Sequence, residues 1–340
     1  MYKIAIAGAT SLLGKELKDA LVDSPFSNAA ISLYEDEKSL GQLDQVGDEA
    51  PLISRVDADS FKKVDFTFFT GTSAFTLQHW RQALRSGSSI IDLSGALDQE
   101  PGVLVRAPWL LSVDRTEVDL FTPAVVPADP AALALAIVFE RIGTVAKVAF
   151  AAATVMEPAS ELGHAAMDEL HQQTVMLLSF QNLPRAVFDA QVAFNQLCSL
   201  GEAAAVSLNA VEARTRSHYH RLAGKDKLPQ LAIQVIQTPV FHGHNFSIAV
   251  ELERAVPLFE LEAALSADHI DLILEDTDSP SNLTATGQND VLVRIRPTTD
   301  MNELKRFWLW ASTDNLRLNA QSAIECALEL RRLRPQGKVQ

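Results

Sequence analysis

The sequence predicts an α/β protein: a domain on a mostly parallel sheet, then a second α+β domain with a mixed or antiparallel sheet. Three observations carry this. Residues 1 to 125 alternate short apolar runs with helix-like stretches, and strand, helix, strand in repetition means right-handed crossovers onto a parallel sheet. Beyond Pro130 the strand-like runs are longer and more alternating, as a sheet with one covered face requires. Third, 340 residues that are 47% apolar and 21% charged supply core enough for two domains.

The elements follow in order. A strand at 3–7 runs into a glycine-containing turn and a helix over 12–22, where Leu13, Leu17, Ala20 and Leu21 recur at helical spacing. Further strands fall at 30–33, 66–69, 89–92 and 118–121, with a helix at 74–86. A helix starts at Pro130, and the second region carries strand runs at 145–151, 231–237, 247–252 and 291–296. Trp308 and Trp310 lie on another alternating strand and read as core or dimer interface. Residues 275–290 are rich in Asp, Ser, Thr, Asn and Gly and read as a surface loop. A last helix, 320–333, returns to the first domain, so the division is 1–128 plus 314–340, and 129–313.

Composition excludes several functions. Lys plus Arg is 29 against 43 Asp plus Glu, a formal net charge of −14. Such a surface repels phosphate backbones and anionic headgroups, so neither nucleic acid nor membrane is an expected partner. Two cysteines, Cys198 and Cys326, exclude a disulfide framework and fit a reducing compartment. Both read as buried filler. No signal-like stretch precedes the first strand, and runs such as 131–139 are too short to span a bilayer. The expectation is a cytoplasmic protein.

Two segments suggest a nucleotide. Gly8-Ala9-Thr10-Ser11-Leu12-Leu13-Gly14 joins strand to helix, and small residues there let backbone N–H groups and the helix dipole meet a pyrophosphate, in the Rossmann manner. Ser11 takes the middle glycine's place, and its Cβ narrows the approach. The other reading is a turn that only connects. After the second strand comes Glu35-Asp36-Glu37-Lys38-Ser39, where an adenosine ribose would lie. An acid suits a free 2′-hydroxyl and a cation a 2′-phosphate. Three acids beside one lysine make a preference for NADP doubtful, and a solvated loop is the alternative.

Further motifs are Thr70-Gly71-Thr72-Ser73, Asp92-Leu93-Ser94-Gly95-Ala96, Ala193-Phe194-Asn195, Pro239-Val240-Phe241-His242-Gly243-His244 and Asp314-Asn315-Leu316-Arg317. With the glycine turn, they resemble the aspartate-semialdehyde dehydrogenase family over nearly the whole chain. The resemblance implies a cofactor domain for NADP or NAD and a catalytic-type domain that also forms a homodimer. Its cofactor contacts would be Gly8, Thr10, Ser11, Leu12, Leu13, Gly14, Lys38, Ser39 and Gly71. It also implies a reaction: an acyl phosphate is reduced to an aldehyde through a cysteine thioester. That chemistry needs a thiolate, an acid/base, cations for carboxylate and phosphate, and a positioned nicotinamide.

Carried over position by position, these groups are mostly replaced. The family's Asn-Pro-Asn-Cys reads Val126-Pro127-Ala128-Asp129. A buried glutamine falls at about Met156, the carboxylate-gripping arginine is Gln237, and the phosphate-gripping arginine is Asp98. A Glu-Glu-x-Lys element reads Val211-Glu212-Ala213-Arg214, half retained, and His244 alone is unchanged. Asp129 before Pro130 reads as a helix N-cap, whose removal costs about 0.5–2 kcal/mol. A carboxylate is a poor substitute for a thiolate nucleophile. At Asp98 an attraction becomes a repulsion, and two unit charges about 4 Å apart interact by about 4 kcal/mol at an effective dielectric near 20. His242 and His244 lack a third ligand for a metal, so none is expected, and His244 reads as a structural histidine bonded to backbone. The expectation is a catalytically degenerate relative that keeps a dinucleotide cleft. The alternative is an active NAD(P)-dependent oxidoreductase on another aldehyde or ketone, with His244 as acid/base.

Overall fold

A computed structural model describes residues 1–35, 40–47, 50–110, 118–119, 121–223, 228–274, 279–298 and 304–333. The chain divides into two compact units: Met1–Leu111, Arg115–Ala128 and Asn319–Gln340 form one, and Ser112–Asp114 with Asp129–Leu318 the other.

The first unit is an all-parallel sheet of seven strands: β1 (Lys3–Ala7), β2 (Ala30–Tyr34), β3 (Ile53–Ser54), β4 (Phe66–Phe69), β5 (Ser89–Asp92), β6 (Leu104–Arg106) and β7 (Val125–Pro127). Their order is β3-β2-β1-β4-β5-β7-β6. β4 reads Phe-Thr-Phe-Phe and is buried throughout, as a strand covered on both faces must be. Leu17, Ala20 and Leu21 of α1 (Leu12–Val22) pack in one core with Ala320, Ala323, Ile324 and Ala327 of the last helix. The other core holds Phe75, Trp80 and Ala83 of α2 (Ser73–Arg85).

One predicted strand is corrected. Val118, Asp119 and Phe121 lie outside any strand. The Asp119 carboxylate instead accepts the Phe121 N–H (2.9 Å) and the Thr122 hydroxyl (3.2 Å). This local turn competes with the ladder and leaves Phe121 exposed. The strand is β7, four residues beyond.

The second unit opens with α3 (Pro130–Val145), buried without interruption from Pro130 to Phe139. Then come β8 (Val148–Glu157), a 3-10 turn (Ala159–Leu162), α4 (His164–Leu178), α5 (Leu208–Ala223), β9 (Ala232–Gln237) and β10 (His244–Leu252). The series ends with α6 (Leu258–Leu265), β11 (Ile270–Leu272), α7 (Asn282–Ala285), β12 (Val291–Pro297) and β13 (Arg306–Thr313); α8 (Asn315–Arg331) starts in this unit and belongs to the first from Asn319 onward. The sheet order is β11-β12-β13-β10-β8-β9, with parallel pairs only at the two ends. The run predicted at 145–151 starts later and ends later, because α3 holds the chain to Val145 and β8 is paired with β10 to Met156 and with β9 to Glu157. Within the predicted loop at 275–290, residues 282–285 form α7, closed by a Ser281–Thr284 capping box.

One face of this sheet is core, with Val155, Phe246, Ile248, Val250, Leu309 and Ala311 buried. Strand alternation puts Phe150, Trp308 and Trp310 on the other face, where they are 56%, 43% and 37% exposed. The two tryptophans are therefore not core residues of this chain. Cys326 is buried but Cys198 is exposed. The backbone of Leu197 pairs with Gln237, and Cys198 follows in the turn beyond that bridge. Among the described residues, no helix is long and apolar enough to cross a membrane.

Candidate functional site

The β1–α1 turn is shaped by contact with the β4–α2 turn. Gly8 has φ +98°, and a Cβ there would lie 2.1 Å from the Gly71 nitrogen. A Cβ on Gly14 would lie 2.6 Å from the Gly8 carbonyl oxygen. Only glycine permits this approach. Ser11 caps α1: its hydroxyl accepts the Gly14 N–H (2.9 Å) and donates to the Thr70 carbonyl (2.8 Å). The hydroxyl is thus spent within the turn. The first two helical N–H groups, Leu12 and Leu13, are ones that a helix cannot satisfy itself. Thr10 donates both its N–H (2.9 Å) and its hydroxyl (2.8 Å) to the Glu35 carboxylate. Lys38 and Ser39 lie outside the described residues. Asp98 is part-buried in the turn after β5, with its N–H on the Gly95 carbonyl (3.4 Å).

In the second unit Asp129 caps α3. Its Oδ1 accepts the Ala132 N–H (3.1 Å) and the Thr215 hydroxyl (3.1 Å). Its own N–H donates to His218 Nδ1 (2.9 Å), and Arg214 Nη1 stands 3.8 Å from Oδ2. The residue is 6% exposed. Glu212, two residues before Arg214 on α5, is turned elsewhere: it accepts the Val235 N–H (3.2 Å) and meets Arg216 (3.4 Å).

A row of buried polar side chains crosses four neighbouring strands: Gln237, Glu157, His244 and Thr313. His244 Nε2 lies 3.0 Å from Glu157 Oε2 and 3.9 Å from Glu161 Oε1. The expectation of a backbone-bonded histidine is therefore corrected: its partner is a carboxylate. Met156, the position the resemblance gave to a buried glutamine, faces the opposite side of the sheet from the neighbouring Glu157, which is the buried partner of His244. Met156 itself is paired with Asn245. Gln237 spends its amide N–H groups on the carbonyls of Glu157 (3.0 Å) and Thr238 (3.2 Å). His244 Nδ1, Gln237 Oε1 and Thr313 Oγ1 have no hydrogen-bond partner among the described residues.

Burial opposes a charge on His244, but the charge and hydrogen bond of Glu157, with Glu161 and Asp129, outweigh it and raise its pKa to about 9. Burial also lifts Glu161, to about 7; His244 and an Asn315 hydrogen bond pull down, and Glu157 and Asp129 push up. His242 stands apart from this row, held between Asp314 (2.8 Å) and Ser160 (3.2 Å). That order imitates a serine–histidine–aspartate relay. However, Ser160 is 2% exposed and also bonded to Asn315, so no substrate reaches it. Among the described residues, no group of three His, Cys, Asp or Glu is placed to hold a metal ion.

Sequence reasoning brought Asp129, Arg214 and His244 to this unit but missed Glu157, Glu161, Thr215 and His218. Only an acid inside an alternating strand, Glu157, left a signal.

Comparison with known proteins agrees with this architecture. Residues 3–132 match the model of the semialdehyde dehydrogenase NAD binding domain, and residues 139–318 that of the semialdehyde dehydrogenase dimerisation domain. A USG-1 protein homolog of Azotobacter vinelandii is 27% identical over 95% of this chain and 96% of its own. An aspartate-semialdehyde dehydrogenase of Rickettsia bellii is 26% identical over 97% of each. The solved structure of a probable aspartate-semialdehyde dehydrogenase from Pseudomonas aeruginosa superposes with TM-score 0.84 at 26% identity, covering 97% of this chain and 98% of that one.

Proposed function

The chain belongs to the semialdehyde dehydrogenase family, and from that premise we propose that it keeps a dinucleotide cleft and a dimer-forming domain but not the thioester reaction. The carrying observation is Asp129. At the position where the resemblance puts the nucleophilic thiol, the carboxylate accepts the Ala132 N–H in the first turn of α3 and the Thr215 hydroxyl from α5. Its task there is to cap. Two further features support the reading. Gln237 is fully buried and donates to backbone, so it offers a substrate carboxylate no cation. His244, the acid/base position, is held as an imidazolium by Glu157, and a protonated ring cannot accept a proton. The same pairing weighs against an active oxidoreductase that uses His244 as a base.

The residues of the β1–α1 turn fit a dinucleotide. Gly8 and Gly14 leave no Cβ in the turn, Ser11 is turned inward, and the N–H groups of Leu12 and Leu13 would meet the pyrophosphate at the helix N-terminus. A bound nicotinamide would supply hydride chemistry; the chain supplies its seat. Residues 1–128 with 314–340 form this cofactor part in our reading, and 129–313 the catalytic-type part. The open sheet face around Phe150, Trp308 and Trp310 then meets a second copy.

Two measurements test this. Purified protein given aspartyl phosphate and NADPH, or the semialdehyde with phosphate and NADP+, should show no turnover above background, and Asp129→Cys should restore none. Restoring sulfur leaves Gln237 and Asp98 without the missing cations. Enzyme-like rates in either protein defeat the proposal. In sedimentation the chain of 37.1 kDa should run at twice that mass, and the double variant Trp308→Glu, Trp310→Glu as a monomer. A monomeric wild type would remove the dimer.

A further inference from the structure

We propose that Glu35 makes the cleft select a dinucleotide with a free adenosine 2′-hydroxyl, NAD, over one with a 2′-phosphate, NADP. This rests on the reading above that the β1–α1 turn seats a dinucleotide. In a parallel sheet of this kind, the turn after β1 takes the pyrophosphate, and the residue after β2 faces the adenosine ribose. Here that residue is Glu35, immediately beyond Tyr34.

The structure fixes this carboxylate rather than leaving it to swing. The Glu35 N–H donates to the Ser54 carbonyl of β3 (3.1 Å). Its Oε2 accepts both the Thr10 N–H (2.9 Å) and the Thr10 hydroxyl (2.8 Å). The preceding carbonyl, of Tyr34, accepts the N–H groups of Gly8 (2.9 Å) and Ala9 (3.3 Å). The end of β2 is thus tied to the pyrophosphate turn by four hydrogen bonds, two of them made by the acid itself.

Two consequences follow for a ligand. A ribose 2′-hydroxyl donates to a carboxylate, and this one is already positioned, so no ordering cost attaches to it. A 2′-phosphate brings like charge against it. The second consequence concerns donors. The Thr10 N–H and hydroxyl, which a phosphate at this corner would draw on, are already given to Glu35. A phosphate must therefore displace the acid as well as face it.

Calorimetric titration of the full chain with NAD+ and with NADP+ tests the assignment. NAD+ should bind at least about tenfold more tightly, and Glu35→Gln should bring the two within about threefold, chiefly by strengthening NADP+. A second comparison needs no variant. On the wild-type chain, adenosine 5′-phosphate should outcompete adenosine 2′,5′-bisphosphate for the same site. Equal or tighter binding of NADP+, or a ratio unchanged in a folded Glu35→Gln, overturns the role of Glu35 and leaves the dinucleotide cleft standing. Binding of neither nucleotide overturns both.

Discussion

Replacing Gln173 by leucine should lower the free energy of unfolding by about 4 kcal/mol, although the residue lies on a helix and touches no proposed ligand. Gln173 is 0% exposed on α4. Its amide oxygen accepts the N–H groups of Val192 (2.8 Å) and Ala193 (3.2 Å), and its amide nitrogen donates to the carbonyls of Pro184 (2.8 Å) and Ala190 (2.9 Å). One turn earlier, Glu169 accepts the N–H groups of Val187 (2.7 Å) and Phe188 (3.1 Å). Between α4 and α5 the chain forms no helix or strand of its own, so these two side chains do what a ladder would otherwise do. They hold Phe188, Val192 and Ala193 on a small core with Ala159, Ala166 and Leu170. Leucine matches the volume of glutamine but leaves four backbone groups without partners, each costing about 1–3 kcal/mol when buried and less where water enters. Gln172→Leu, on the exposed side of the same helix, is the control and should change stability by less than about 0.5 kcal/mol. Urea unfolding followed by circular dichroism reads both. A Gln173→Leu protein within about 1 kcal/mol of wild type would show that the clamp carries little.

That clamp also marks what a sequence hides. Glutamine and glutamate four residues apart on a helix look like a solvated face, and their partners lie up to twenty positions downstream. By contrast, β1, the glycine turn and α1 were legible to the residue. Their determinants are local: a serine cap at Ser11 and a glycine at positive φ. Asp129 as a cap was legible for the same reason, since Asp-Pro before an apolar run specifies a helix start within three residues. Glu157 was not. A slip of one position along a strand turns the side chain to the opposite face, and the offset between Met156 and Glu157 separates an apolar neighbour from the partner of His244. Thr215 and His218, which hold Asp129 from α5, depend on a contact nearly ninety positions apart. No local pattern encodes it.

The His244–Glu157 pair sets the other large effect. Both residues are almost fully buried, and Glu157→Leu leaves the imidazolium without its nearest counter-charge. Breaking a buried pair by removing one partner costs about 3–5 kcal/mol, more than the intact pair itself contributes. The pH dependence carries a definite sign. With a folded pKa of about 9 against 6.5, His244 binds its proton more tightly in the native state, so its stabilisation is complete below about pH 6.5 and is lost as pH rises through about 9. Glu161, raised from 4.5 to about 7, acts in the same direction, with a contribution present below about pH 4.5 and lost through about 7. The unfolding temperature should therefore fall from pH 5 to pH 9. In Glu157→Leu the imidazole loses the charge that held its proton and burial then disfavours its charged form, so the histidine part of that slope should reverse sign. The damage should be greatest at the acid end, where wild type gains most from the pair. An imidazole resonance of His244 titrating near pH 9 in the wild type and below 6.5 in the variant would establish the link; a wild-type midpoint near 6.5 would break it. It bears on chemistry as well. At neutral pH a histidine so paired is already protonated and hydrogen-bonded to a fixed acid, and withdrawing that acid should return to it the capacity to accept a proton.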